Sequence, residues 1–182
     1  MSITEIDLDL DSSPVKVRVL RDLPNLSLGG ENLGPLKEGD DVDLPRWMAN
    51  ELAKSNIVKV FEREPLDMAA LAKIHWRECI PSSREIPPMQ NDFYYKLRGL
   101  LKDLLQKSEH EQSIRADYDK ALSQSKDIVN CRLHKILYIA AGPPQTDTTL
   151  QKLAAEERAL YNQLCSIVNE WKRRVLSLED EK

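Results

Sequence analysis

The chain has 182 residues, the size of one ordinary domain or of a domain with a small companion, and its 26 basic against 30 acidic side chains leave a formal charge of −4. With 41% hydrophobic residues it can build a core, while the acidic balance argues against a duplex-binding domain and no apolar run approaches a membrane span. Three cysteines, Cys79, Cys131 and Cys165, are odd in number and far apart, which argues against a disulfide framework and, with no signal-peptide pattern, points to a soluble intracellular protein.

Residues 1–13 read as an acidic tail. Asp7, Asp9 and Asp11 alternate with Ile6, Leu8 and Leu10, a pattern that suits an edge strand or a disordered lead-in. Val15 to Leu20 alternates β-branched with basic residues and predicts a strand. Residues 28–40 read as loop, and Asp41-Val42-Asp43 as a short strand or turn. Leu44-Pro45 opens a short helix with Trp47, Met48 and Leu52 on its apolar stripe, and Ile57 to Phe61 is a closing strand. Residues 14–62 thus form a small β-rich domain, with a boundary near Pro65.

Residues 65–182 predict a helical domain of four helices, two of them long. The first runs from about Leu66 to Cys79 and ends at Pro81; the second, capped by Asn91 or Asp92, reaches about Ser108. The third carries Ala121, Ile128, Val129, Leu133, Ile136, Leu137 and Ala140 and stops at Gly142-Pro143-Pro144. The fourth opens with a capping box at Thr148 and Gln151 and bears the stripe Leu153, Leu160, Leu164, Ile167, Val168, Trp171 and Val175. Taken as an antiparallel pair of about thirty residues each, the last two helices have apolar surface to spare for other helices, those of another chain included. The fold class is therefore mainly α, a helical domain preceded by a small β-rich one.

Catalytic patterns fail one by one. Gly29-Gly30-Glu31-Asn32-Leu33-Gly34 lacks the Gly-Lys-Ser/Thr of a phosphate loop and the spacing of a dinucleotide fingerprint, so it reads as a turn. His75 and Cys79 share a helix face four residues apart, but two ligands do not make a metal site, and burial of Cys79 as a small apolar residue is the favoured reading. His110 reads as a solvated residue, His134 as a surface or interface one, and the acids Asp40, Asp41 and Asp43 as a solvated turn lacking the calcium-loop offsets. With no nucleophile elbow either, the chain reads as non-enzymatic, with no cofactor and no metal. Arg132 and Lys135 form a solvated edge or pair with acids on a neighbour; Lys172-Arg173-Arg174 complement a helix C-terminus and offer at most weak DNA contact; Trp76 and Trp171 read as anchors in a core or interface.

Several segments resemble the GINS family of DNA-replication proteins. Gly34-Pro35-Leu36-Lys37-Glu38-Gly39-Asp40, followed by Asp43-Leu44-Pro45-Arg46-Trp47-Met48, is similar to the family's small B domain, with Val17 to Leu20 as its opening strand. Asp92-Phe93-Tyr94 with Leu97-Arg98, and Arg132-x-x-Lys135-Ile136-Leu137, resemble two helices of its A domain. The B-then-A order is similar to the partner-of-Sld-five two and three class and its archaeal counterpart, and the chain's brevity suggests the archaeal form. The resemblance implies a non-catalytic scaffold that forms a tetramer with other GINS subunits, homomeric or heteromeric, and bridges the MCM helicase and a RecJ-like or Cdc45-type protein. It implies a cytoplasmic, nucleoid-associated place if archaeal and a nuclear one if eukaryotic. Arg132, Lys135, Leu160, Leu164 and Trp171 are then the candidate interface residues. A helical adaptor unrelated to replication is the alternative from residues alone.

Overall fold

The computed structural model describes residues 3–28, 30–61, 66–79, 85–109 and 111–176, so Gly29, Pro65, Pro81 and His110 lie outside the described residues. The chain divides into two compact units, residues 3–65 and 66–182.

In the N-terminal unit, β1 (Pro14–Val19) is the centre of a three-stranded antiparallel sheet, between β4 (Asp41–Pro45) and β5 (Val58–Val60). Val17 and Val19 point their side chains inward from β1, while Lys16 and Arg18 point out, as the alternating sequence requires. β2 (Leu26–Leu28) and β3 (Glu31–Leu33) pair as a hairpin, its turn and second strand falling in the 28–40 span expected to be loop, and Gly30 in its tight turn takes a φ of +87°. Helix α2 (Arg46–Lys54) starts directly after Pro45, whose φ of −53° leads into a helical turn, and lays Met48, Ala49 and Leu52 on Val17, Leu44 and Val58.

The acidic N-terminus is a correction. Residues 3–12 are neither strand nor loose tail but α1 (Ile3–Ser12), packed on α2. Ile6 and Leu10 stand four apart on one helix face, where Ile6 is 1% exposed, and Leu8 falls on the other side at 61%. A strand would have put all three apolar residues on one face. The burial of Ile6 outweighs that alternation. Ser13 then ends the helix by donating from its hydroxyl to the Leu10 carbonyl at 2.6 Å.

The helical unit comprises α3 (Met68–Glu78), α4 (Phe93–Ser108), α5 (Gln112–Ala141), the single turn α6 (Asp147–Leu150) and α7 (Ala155–Leu176). Asp67 caps α3 by accepting from the Ala70 amide at 2.7 Å. One core gathers Leu71, Phe93, Leu97, Ala121 and Ile128; a second gathers Ile86, Ile136, Ala140, Leu153 and Tyr161. Among the described residues no helix is long and apolar enough to cross a membrane.

The last two helices depart from expectation in length and direction. The stretch expected as one helix from Thr148 is broken after α6, and α7 has 22 residues against the 30 of α5. Nor are α5 and α7 antiparallel. Arg132 meets Glu157 at the start of α7, and the Ala140 carbonyl, two turns further along α5, meets Cys165 two turns further along α7. The two helices therefore run in the same direction, because the chain doubles back between them: the Lys152 carbonyl accepts from Arg132 and from the Met89 amide. As a result α7 overshoots. Its last turns extend past Ala141, where α5 stops, and Lys172 reaches back to donate to the Ala141 carbonyl at 3.0 Å.

Candidate functional site

Four charged side chains from three helices meet inside the helical unit. Arg132 on α5 donates from Nε to Glu157 Oε1 at 2.8 Å and from Nη2 to Glu157 Oε2 at 2.6 Å, a two-pronged match of guanidinium to carboxylate. Its Nη1 donates to the Pro87 carbonyl at 2.7 Å and lies 3.4 Å from Glu78 Oε2 at the end of α3. Lys135, one turn further along α5, donates to the Glu78 carbonyl at 3.1 Å and to Glu78 Oε2 at 3.3 Å. Two cations thus face two anions, with Arg132 only 1% exposed. Burial alone would disfavour the charge on Arg132, but the hydrogen bonds and charge of Glu157, with Glu78 beside it, more than offset it and raise its affinity for the proton.

Glu157 holds two further groups in place. It is the third residue of α7, where negative charge complements the helix dipole, and its Oε2 accepts from the Ala154 amide at 2.9 Å. Its Oε1 also accepts from the Tyr94 hydroxyl of α4 at 2.7 Å. Burial, reinforced by the Glu157 charge, pushes the Tyr94 hydroxyl far above the usual phenol range, so it remains a donor at every physiological pH. One carboxylate therefore joins α4, α5 and α7, while Glu78 brings in α3.

Of the two readings of Arg132, the solvated edge is overturned and the pairing with acids on a neighbour holds: its partners are acids on neighbouring helices of its own bundle. Lys135 belongs to the same buried network. Leu160 and Leu164 are half-buried against the Ile86 and Ile136 core. Of the five candidate interface residues, only Trp171 is well exposed, at 63%.

Trp171 has company. Ile167, Trp171 and Val175 stand at four-residue spacing on the overshooting end of α7, all exposed, with Ile167 at 65%. On α5, Val129, Leu133 and Leu137 form a second exposed stripe at the same spacing, set apart from the buried Ile128, Ile136 and Ala140. Trp76, expected as an anchor, is also exposed on α3. Sequence reasoning saw these stripes but not which end of α7 would lack a neighbour. It missed Glu78 and Glu157 altogether, although paired acids at Glu156-Glu157 are a first-turn signal.

The other candidates have local explanations. His75 Nε2 is 3.0 Å from Asp127 Oδ2, and His134 Nδ1 is 2.8 Å from the Asn130 carbonyl. Asp41 pairs with Arg18 across the sheet, and Asp40 closes a turn by accepting from the Lys37 amide. Arg173 and Arg174 both pair with Glu170. Among the described residues, no group of three or more His, Cys, Asp or Glu side chains is arranged to hold a metal ion.

Fold and site define a helical bundle locked internally by ion pairs, with an uncovered apolar helix end, and joined in sequence to a small β-containing unit. Residues 65–176 match the family model described as the GINS complex protein helical bundle domain. The chain belongs to the GINS family and is a GINS complex subunit of DNA replication. No curated protein matches it.

Proposed function

We propose that this subunit is a non-catalytic scaffold, assembling with other GINS subunits into a tetramer that bridges the MCM helicase and a RecJ-like or Cdc45-type partner in the replicative helicase. The observation that carries the reading is the overshooting end of α7, where Ile167, Trp171 and Val175 stay exposed although their own bundle is complete without them. Burying such a stripe against a second chain removes it from water at about 25 cal/mol per Å². Leu160 and Leu164 continue it toward the core, and Lys135 supports it only through the ion network. In this reading the helical unit is the A domain and the N-terminal unit is the B domain, in the B-then-A order, with α1 as part of the B domain. The buried ion pairs hold the bundle in one geometry, which a scaffold needs and an enzyme's chemistry does not explain.

Light scattering on the purified chain, alone and mixed with other small two-domain subunits from its source, tests the assembly. A tetramer in either sample supports the reading, and capture of MCM helicase by that tetramer extends it to bridging. A chain that stays monomeric in both samples overturns it.

A further inference from the structure

Among the groups outside the ion network, one pair of side chains is placed for chemistry that neither the family nor the scaffold reading uses. Cys79 ends α3 and Cys131 lies in α5, 52 positions apart in sequence, yet the Cys131 thiol points at Cys79 Sγ from 3.1 Å. One helical turn earlier, His75 and Asp127 make the same crossing at 3.0 Å. The two contacts repeat at four-residue spacing on both helices, so α3 and α5 run side by side in the same direction. The ion pair of Glu78 with Arg132 holds them there on the adjacent face. The thiols therefore meet because the helices are fixed, with both cysteines only partly buried.

We infer that Cys79 and Cys131 form a reversible dithiol–disulfide site, which small-molecule disulfides such as oxidised glutathione close into an intrachain bond fastening α3 to α5. Bond formation needs the sulfurs to approach from 3.1 Å to about 2.05 Å. In the first step the Cys131 sulfur attacks one sulfur of the small disulfide and expels one small thiolate. In the second, the Cys79 sulfur attacks Cys131 Sγ and expels the other. The small disulfide takes two electrons and leaves as two thiols carrying the two protein protons, while the cysteine pair is oxidised to one S–S bond. Burial first, then the neighbouring Cys131 and the Asp127 and Glu78 carboxylates, push the Cys79 thiol up to about 12. Cys79 thus holds its proton until the second step, in which that proton passes to the departing small thiolate as the S–S bond forms.

Cys165 is the internal control. It is equally half-buried, but its sulfur faces the Ala140 carbonyl, nine residues or about 13 Å along α5 from Cys131. The three cysteines are too few and too scattered in sequence to suggest a framework; proximity of two of them is created only by the α3–α5 packing.

The test uses the full-length chain, reduced, freed of reductant and exposed to oxidised glutathione. The expected result is the loss of two thiols of three, a digest fragment linking Cys79 to Cys131, and a melting temperature roughly 5–10 °C higher that returns on reduction. C165S behaves the same, whereas C79S and C131S each lose the link. Because the fragment is read on the wild-type chain, a variant that folds poorly does not blur the outcome. Glutathione left attached to either cysteine without closure, a link through Cys165 or between chains, or thiols that stay reduced would overturn the inference. So would thiols that resist the disulfide but are masked by one equivalent of added zinc. None of these results bears on assembly, so this inference and the scaffold reading fail separately.

Discussion

Arg132 and Glu157 face each other across α5 and α7 with both ends of the guanidinium fork engaged, at 2.8 and 2.6 Å, and with both side chains buried. Their contact sets where α7 begins beside α5, and through that starting point how far α7 projects beyond it. The interior salt bridge and the exposed stripe are thus two ends of one geometric fact.

Removing one partner of that pair leaves a buried charge without its counter-ion. Arg132→Ala or Glu157→Ala should each destabilise the helical unit by about 3–5 kcal/mol in denaturant unfolding. The double variant R132M/E157L should cost less than either single change, since neither charge of the pair is then stranded and what is lost is the acceptor of the Tyr94 hydroxyl and the Ala154 amide. Equal losses in the single and double variants would show that the cost lies in the pair's other hydrogen-bond partners, Tyr94, Ala154 and Pro87, and not in a stranded charge.

Trp171 and Leu164 sit on the same helix but should respond differently. Leu164→Ala takes contacts from the Ile136 core and should cost about 2 kcal/mol, whereas Trp171→Ala, on an exposed turn, should stay within about 0.5 kcal/mol for the isolated chain. Pairing Trp171→Ala with Ile167→Ala should instead shift the light-scattering mass toward monomer. Loss of stability with an unchanged mass would place the stripe inside the fold.

Among the described side chains of α1, Ile6 is the buried one, at 1% exposed. Ile6→Ala should cost about 2–5 kcal/mol and raise hydrogen exchange across α1, while Leu8→Ala should change neither. An Ile6→Ala chain as protected as the wild type would return residues 3–12 to the status of a tail.

Asp41 accepts from Arg18 Nε at 2.8 Å and from Nη2 at 2.9 Å, and these bonds hold its carboxyl below its ordinary value of 3.8. A depressed folded pKa stabilises the sheet above the unfolded value and loses that contribution as pH falls through the folded one. Arg18→Ala should therefore move the Asp41 titration upward in an NMR pH series. Because the pair is exposed, added salt should weaken the effect in the wild type. No movement of Asp41 in the variant would assign the depression to the charge of Lys16 instead.

What the sequence by itself determined is the local structure. Helix hydrogen bonds join residues four apart, so the spacing of Phe93, Leu97, Leu100, Leu101 and Leu104 and the breakers after Ala141 suffice to place α4 and the end of α5. The alternation from Val15 to Leu20 likewise suffices for β1. The resemblance carried by Asp92-Phe93-Tyr94 and Arg132-x-x-Lys135-Ile136 reached the right family because those motifs sit on these locally specified helices.

What only the tertiary structure decided depends on partners far away in the chain. Arg132 looks like any surface arginine until Glu157, 25 positions on, and Glu78, 54 positions back, enclose it, since a buried charge is tolerated only where counter-charges arrive from other helices. The same holds for α1, whose alternating acids favour a strand until the folded chain buries Ile6 and packs the helix on α2. It holds for the direction of α7, which turns on how residues 142–154 double back rather than on any periodicity. Local hydrogen bonding sets the elements; the burial of charge and of apolar faces, which no short stretch can satisfy alone, sets how they meet and what they leave uncovered.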